Sequence, residues 1–226
     1  GFSMFGGIPC QSCHMPEKED GTHDHNFIGV DLDLSIPYLE NPLFQKVSDM
    51  LESSVEMSFE VWGQYLPETI SSLDTLHIPL AVESLTAHSI PSGTSFNREA
   101  WIELIVINND SIIYSSGLLL DNNDALDYSD SDLLLFKSYL LDEVGDTTHS
   151  VIDSYDIINN SLPAYSQRFK IYEVVLPQNV NGVLDVRARM LFRPFEPDFI
   201  INHHEEFINN LPVFEMFNIE STIEVE

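Results

Sequence analysis

Both cysteines of this 226-residue chain stand in one pentapeptide, Cys10-Gln11-Ser12-Cys13-His14. Two thiols two residues apart with an imidazole beside them follow the attachment grammar of c-type haem. Each thiol can form a thioether to a haem vinyl group, and His14 then reaches the iron from one face. The same placement leaves no disulfide for the rest of the chain, whose core must hold by burial alone. Two other uses of the pair stay open. Cys10 and Cys13 with His23 and His25 have finger-like spacing for zinc, and the two thiols can form a disulfide or a redox pair. Against the redox pair stands the lack of a surrounding βαβ pattern. Met15-Pro16 turns the chain directly after His14, which suits a haem loop better than the start of a helix.

Charge narrows the choice of partners. Asp and Glu number 37 against 9 Lys and Arg, a formal net charge of -28. Such a field repels nucleic acid and anionic membrane, so neither is expected to bind. It favours a cationic redox partner, a divalent cation or a salty medium, and part of it serves solubility. No apolar stretch reaches the roughly 18 residues of a membrane-spanning helix, so no membrane insertion is expected. Residues 1–9 lack the basic and apolar blocks of a signal peptide, which suggests a processed or truncated product. Attachment of haem to this motif takes place outside the cytoplasmic membrane, so a periplasmic or extracellular location is expected.

Organisation changes along the chain. Residues 1–40 are expected to form a c-type haem-binding segment, because the stretch is rich in Gly, His, Asp and Pro and too poor in apolar residues to order itself. A haem would supply the missing core. Residues 41–226 are expected to form a β-sandwich domain with a short helix near 42–53, where Asn41-Pro42 is a cap and first-turn pair and Leu43, Phe44, Val47, Met50 and Leu51 recur at helical spacing.

Strands are expected at Val55 to Val61, Leu76 to Leu85, Trp101 to Asn108, Ser111 to Ser115, Arg168 to Leu176 and Val183 to Phe192. The Asn108-Asn109-Asp110 turn is a hairpin signal, and 179–182 reads as a second hairpin loop. One more helix is expected over 198–210. Short strands without alternating helices argue for a mainly β, antiparallel sandwich. The acid run from Asp121 to Asp132 has oxygen ligands for Ca²⁺ at Asp121, Asn123, Asp127 and Asp130. It lacks the Gly and the terminal Glu of an EF-hand loop, so a solvated loop competes with a calcium site.

Several motifs together resemble a known family. Ile8-Pro9-Cys10-Gln11-Ser12-Cys13-His14-Met15-Pro16 is followed by His23-Asp24-His25-Asn26-Phe27-Ile28-Gly29, and Ala87-His88-Ser89-Ile90-Pro91-Ser92-Gly93 is similar to a Gly-His-x-x-Pro-Thr-Gly turn. Downstream come Arg98, Trp101, Tyr114-Ser115-Ser116-Gly117, Thr148-His149, Arg168 and Ala188-Arg189-Met190-Leu191-Phe192-Arg193-Pro194-Phe195. In this order they resemble the C-terminal region of multihaem c-type cytochromes, in which a last haem segment leads into an immunoglobulin-like β-domain. Two departures stand out: relatives carry several haem motifs where this chain has one, and Ala87 stands where relatives often have Gly.

The resemblance implies that His25 and His88 both bind haem iron. With one haem, one of them is the distal ligand to set against His14, and the other reaches iron in another subunit or in sequence outside this chain. His25 is the first choice, close by in sequence, and His88 the alternative, distal or inter-subunit. Two imidazoles closing the iron imply outer-sphere electron transfer with no substrate bound, so an electron carrier is expected more than an enzyme. Partners are then a redox protein or other haems of the same assembly, which includes a homo-oligomer or cytochrome filament.

Competing readings are a small-molecule redox enzyme with an open haem face, and a structural or assembly module that haem or metal merely stabilises. His77, His149, His203 and His204 read as surface or capping residues, and Met4, Met50 and Met57 as core or mobile residues. Phe2, Phe5 and Phe27 could line a haem pocket, whereas Trp62 and Tyr65 read as ordinary core.

Overall fold

The computed structural model describes residues 10–25 and 27–226. Phe2, Met4, Phe5, the Ile8-Pro9 start of the resemblance and Asn26 lie outside the described residues.

Alternating burial along Val55–Ser58 marks the edge of a first sheet. This strand pairs antiparallel with Thr75–Ser84, which pairs antiparallel with Gln167–Val175. The second sheet runs in the order Thr69–Ile70, Phe214–Val225, Gly182–Arg193, Glu99–Asn108, Ser111–Ser116, with Leu135–Phe136 beside Glu99–Asn108. Its pairings are antiparallel except where Thr69–Ile70 lies parallel to Phe214–Val225.

Leu76, Ile78, Leu80, Tyr172 and Val174 of the first sheet meet Ile102, Leu104, Val106, Val186, Ala188 and Met190 of the second in one core. The chain is thus a mainly β, antiparallel sandwich with few short helices, as its alternation suggests. The other face of the second sheet is covered too: Trp101, Leu126 and Leu191 are buried there against Leu119, Leu133, Leu135 and Val213. That double coverage explains why Glu99–Asn108 reads as an almost continuous apolar run.

The helix expected near 42–53 is Phe44–Glu52, with Val47 and Leu51 in the core. Asn41 Oδ1 accepts from the Leu43 amide at 3.0 Å in the turn ahead of the helix, but the cap position is Leu43, with no side-chain cap bond, so the expected Asn41-Pro42 cap and first-turn pair lies just outside the helix. At the Asn108–Asp110 turn, Asn109 and Asp110 both take positive φ, 49° and 62°, as a two-residue hairpin requires. The last helix is shorter than 198–210: Pro197–His204 is α-helical and Glu205–Asn210 continues as a 3₁₀-helix.

Two readings need correction. Residues 179–182 do not close a hairpin: Gln167–Val175 and Gly182–Arg193 belong to different sheets. The connection crosses the end of the sandwich because Leu176 and Val180 are buried in the core. Trp62 and Tyr65 are not core residues. They sit 78% and 65% exposed on the tight hairpin Glu60–Val61/Gln64–Tyr65, with the Trp62 ring edge-on to Phe169. A third small sheet, Thr147–Thr148, Ser138–Leu141 and Asp156–Asn159, and the long strand Phe214–Val225 are additions to the strands read from sequence.

Gly117 shows how tightly the second sheet is closed. Its φ is +65°, and a Cβ there would lie 2.3 Å from the Ile102 carbonyl oxygen and 3.1 Å from Trp101 Cδ1. Its carbonyl accepts from Trp101 Nε1 at 3.0 Å. Gly117→Ala should therefore cost about 3 kcal/mol in denaturant unfolding, with roughly 1–2 kcal/mol from the left-handed backbone and the rest from backbone displacement. A loss below about 0.5 kcal/mol, the scale of ordinary surface substitutions, would contradict this packing.

Candidate functional site

The pentapeptide forms a single helical turn, Gln11–His14. The His14 amide donates to the Cys10 carbonyl at 3.0 Å, and both cysteines are free and exposed. Directly after it the chain doubles back. The Lys18 amide donates to the Thr22 carbonyl at 2.7 Å and the Asp24 amide to the Pro16 carbonyl at 2.9 Å, and Glu17 bridges His23. The thiols thus face solvent while His14, half-buried, turns toward the sandwich.

His14 Nδ1 lies 3.2 Å from the Ile28 carbonyl oxygen. A carbonyl only accepts, so the neutral ring carries its proton on Nδ1 and leaves the Nε2 lone pair free for a metal. The Phe27 ring stacks on the imidazole at 4.8 Å between centroids. His88 approaches from the sandwich, with its ring centroid 6.2 Å from that of His14 and the two planes 20° apart. Its Nδ1 lies 3.0 Å from the Ser89 carbonyl oxygen, so the same argument frees its Nε2.

The spacing can be tested against a bound iron. An imidazole nitrogen binds a metal at about 2 Å and lies about 1 Å from its own ring centre, so two rings on one metal have centres about 6 Å apart. The observed 6.2 Å fits. Both Nδ1 atoms thus lie on backbone carbonyls, the kind of hydrogen bond that orients a histidine for ligation. Two imidazoles at this separation, with two thiols on the same helical turn as His14, are the residue types that would hold a c-type haem.

The turn that carries His88 is rooted in the sandwich. Thr86 Oγ1 donates to the His88 carbonyl at 2.7 Å, and Ile90 and Leu162 exchange two backbone hydrogen bonds of 2.8 and 2.7 Å. His25 is exposed. The described rings that meet His14 are those of Phe27 and His88. The His14–His88 pairing spans 74 positions, so no local pattern reveals it.

The alternative metal sets do not assemble. Among the described residues, no group of three or more His, Cys, Asp or Glu is placed to hold a metal ion. The zinc quartet Cys10, Cys13, His23 and His25 does not come together as such a group. The calcium set Asp121, Asn123, Asp127 and Asp130 fails because its carboxylates already serve the loop. Asp121 Oδ1 takes the Asn123 amide at 3.1 Å, and Asp127 Oδ1 takes the Ser129 amide and hydroxyl at 2.9 and 2.6 Å. Asp130 Oδ2 takes the Ser116 hydroxyl at 2.7 Å. The hydrogen bonds from Ser129 lower the Asp127 pKa, as expected for a carboxylate satisfied in its charged form.

A likeness of fold can be set beside this geometry. The chain superposes on a penta-haem cytochrome c552 from Thermochromatium tepidum with a TM-score of 0.66 at 17% identity, over 97% of this chain and 48% of that one. The two share a fold. This chain spans about half the length of that cytochrome. No protein-family model matches the sequence, and no curated protein sequence does. Among the described residues, no helix is long and apolar enough to cross a membrane.

Proposed function

We propose that this chain is an extracytoplasmic c-type cytochrome that carries single electrons. In this reading Cys10 and Cys13 hold the haem through thioethers, His14 is the proximal ligand, and His88, rather than His25, is the distal one. The single observation behind it is the facing pair His14 and His88 at 6.2 Å, each with Nδ1 on a backbone carbonyl. The bound haem would supply a ferric/ferrous couple. The protein's part is to fix both imidazoles so that the change of charge needs little rearrangement and no substrate reaches the metal.

The net charge of -28 stabilises the ferric state and lowers the potential, an effect that salt weakens. It also favours a partner with a cationic docking patch, or neighbouring haems of the same assembly. The cytochrome of like fold is described as a penta-haem protein, which supports the reading. His25 is then available for iron outside this chain. Location outside the cytoplasm rests on where c-type haem is attached.

Pyridine haemochrome analysis and low-temperature electron paramagnetic resonance on protein from a maturation-competent host test this directly. One covalent haem per chain with a low-spin ferric signal is expected. His88→Ala should convert that signal to high spin and let the ferrous form bind carbon monoxide, whereas His25→Ala should leave it low-spin. Colourless or zinc-loaded protein overturns the reading. A conversion by His25→Ala alone would return the distal role to His25.

A further inference from the structure

Two separate pieces of chain must meet for His14 and His88 to face each other, and one side chain ties them together. His14 is anchored on the Ile28 carbonyl, and three residues on, Asp31 Oδ2 accepts from Arg98 Nη2 at 2.7 Å. His88 opens the turn that reaches Ser92, whose carbonyl accepts from Arg98 Nη1, also at 2.7 Å. One planar guanidinium therefore links the segment behind one imidazole to the turn behind the other.

The guanidinium is held close. The Arg98 side chain is 13% exposed, and its Nε is buried with no hydrogen-bond partner among the described residues, an arrangement that costs desolvation. Gly93 provides the clearance. Its φ is +67°, and a Cβ there would lie 3.1 Å from Arg98 Nη1. Pro91-Ser92-Gly93 thus presents a carbonyl to the arginine and keeps a side chain out of its way. A lysine cannot replace this fork, because a single ammonium has neither the reach nor the planarity to engage both acceptors in the same way.

We propose that Arg98 is a positioning residue for the metal centre: by joining Asp31 to the Ser92 carbonyl it holds the His88 turn at ligation distance from His14. This inference rests on the bis-imidazole reading above and goes beyond it, because it says what keeps the distal ligand in place. Losing Arg98 leaves both histidines present and loosens the distance between them, so the distal bond opens more often.

The test is carbon monoxide binding to the ferrous holoprotein, with the ferric resonance spectrum recorded alongside. In Arg98→Ala, affinity for carbon monoxide should rise about tenfold to a hundredfold, the factor carried by a lost charge-assisted hydrogen bond. A high-spin fraction should appear in the ferric form, and added imidazole should remove it without changing the unfolding midpoint. Arg98→Lys should lie between. If Arg98→Ala does not accumulate, Asp31→Asn carries the test: it keeps the guanidinium and its Ser92 bond, and should raise the affinity about tenfold. Unchanged carbon monoxide binding in the arginine variant, or in Asp31→Asn where only that is obtained, overturns the inference. His88→Ala separates the two levels. If it opens the site while the clamp variants do not, the ligand assignment stands and the clamp falls; if it also leaves the site closed, the bis-imidazole reading falls.

Discussion

Replacing Cys10 and Cys13 together by alanine should abolish covalent haem completely and release residues 10–25 from the sandwich. The reason is how little this segment buries by itself. Of residues 10–25 and 27–40, Leu32 alone is fully buried, and the turn Gln11–His14 contributes no buried residue. Residues 28–38 are seated on the sandwich by Leu32 in the core, by Ile28, Val30 and Tyr38 packed half-buried against it and by the Asp31–Arg98 pair, whereas residues 10–25 have only their backbone turns and the Ile28 contact of His14. A few largely exposed hydrogen bonds are together worth about 1–3 kcal/mol, too little to fix residues 10–25 against their conformational entropy. The tether makes up the difference by bringing a large apolar group to the segment.

In the double variant, hydrogen exchange at residues 10–25 should approach that of an unfolded chain, while the central strand Glu99–Asn108 keeps its protection. Any haem retained should be removable by acid-acetone extraction. Retention of covalent haem would place the attachment elsewhere, and unchanged protection at residues 10–25 would show that the segment holds without it.

The fold was legible wherever burial repeats in step with the backbone. Trp101 to Asn108 lies between two apolar layers and reads apolar except at Glu103 and Asn108, and Val55–Ser58 alternates because one of its faces is wet. Phe214–Val225 escaped notice for a definite reason. Its partner register shifts between Met190 and Leu191, leaving Met216 as the extra residue. Inward positions therefore change from Phe214 and Met216 to Phe217, Ile219 and Ile223. A β-bulge breaks the two-residue period on which strand reading depends.

The small sheet through Ser138–Leu141 was hidden differently. Its outer strand Asp156–Asn159 is exposed at every position, so it carries no alternation to read. The candidate site divides along the same line. Cys10, Cys13 and His14 are adjacent in sequence, and covalent chemistry dictates their spacing. The choice between His25 and His88 depends on which imidazole the folded sandwich carries to His14, and a link across 74 positions leaves no local trace. Arg98 drew notice only as one residue in an ordered series, since its link to Asp31 joins positions 67 apart.

Removing the charge of Glu99 should be the most destabilising change in the sandwich proper. Glu99 is fully buried at the start of one central strand, opposite Arg193 at the end of its neighbour. Its Oε2 accepts from Arg193 Nε at 2.6 Å, and its Oε1 faces Lys137 Nζ at 3.6 Å and accepts from the Tyr128 hydroxyl. Lys137 also pairs with Glu196, while Arg193 donates to the Asp124 carbonyl at 2.7 Å and lies over the Trp101 ring. Burial first, and then the negative charge of Glu99, push the Tyr128 phenol far above its ordinary pKa. It therefore stays a donor throughout the physiological range.

Two carboxylates thus balance two cations, with Glu99 and Arg193 wholly buried and Lys137 and Glu196 at the wall of an open cavity beside them. With glutamine at position 99, one carboxylate faces both cations, and breaking a buried pair in this way costs about 3–5 kcal/mol. For a domain of this size that lowers the unfolding midpoint by about 10 °C. The cycle Glu99→Leu, Arg193→Met and the double variant separates the pair from its surroundings. Because apolar groups replace both buried charges at once, the double variant should be more stable than either single one, with a coupling of at least about 2 kcal/mol. A glutamine variant within about 1 kcal/mol of the parent, the range of exposed ion pairs, would mean that solvent reaches this cluster and that the sandwich does not depend on its charge balance.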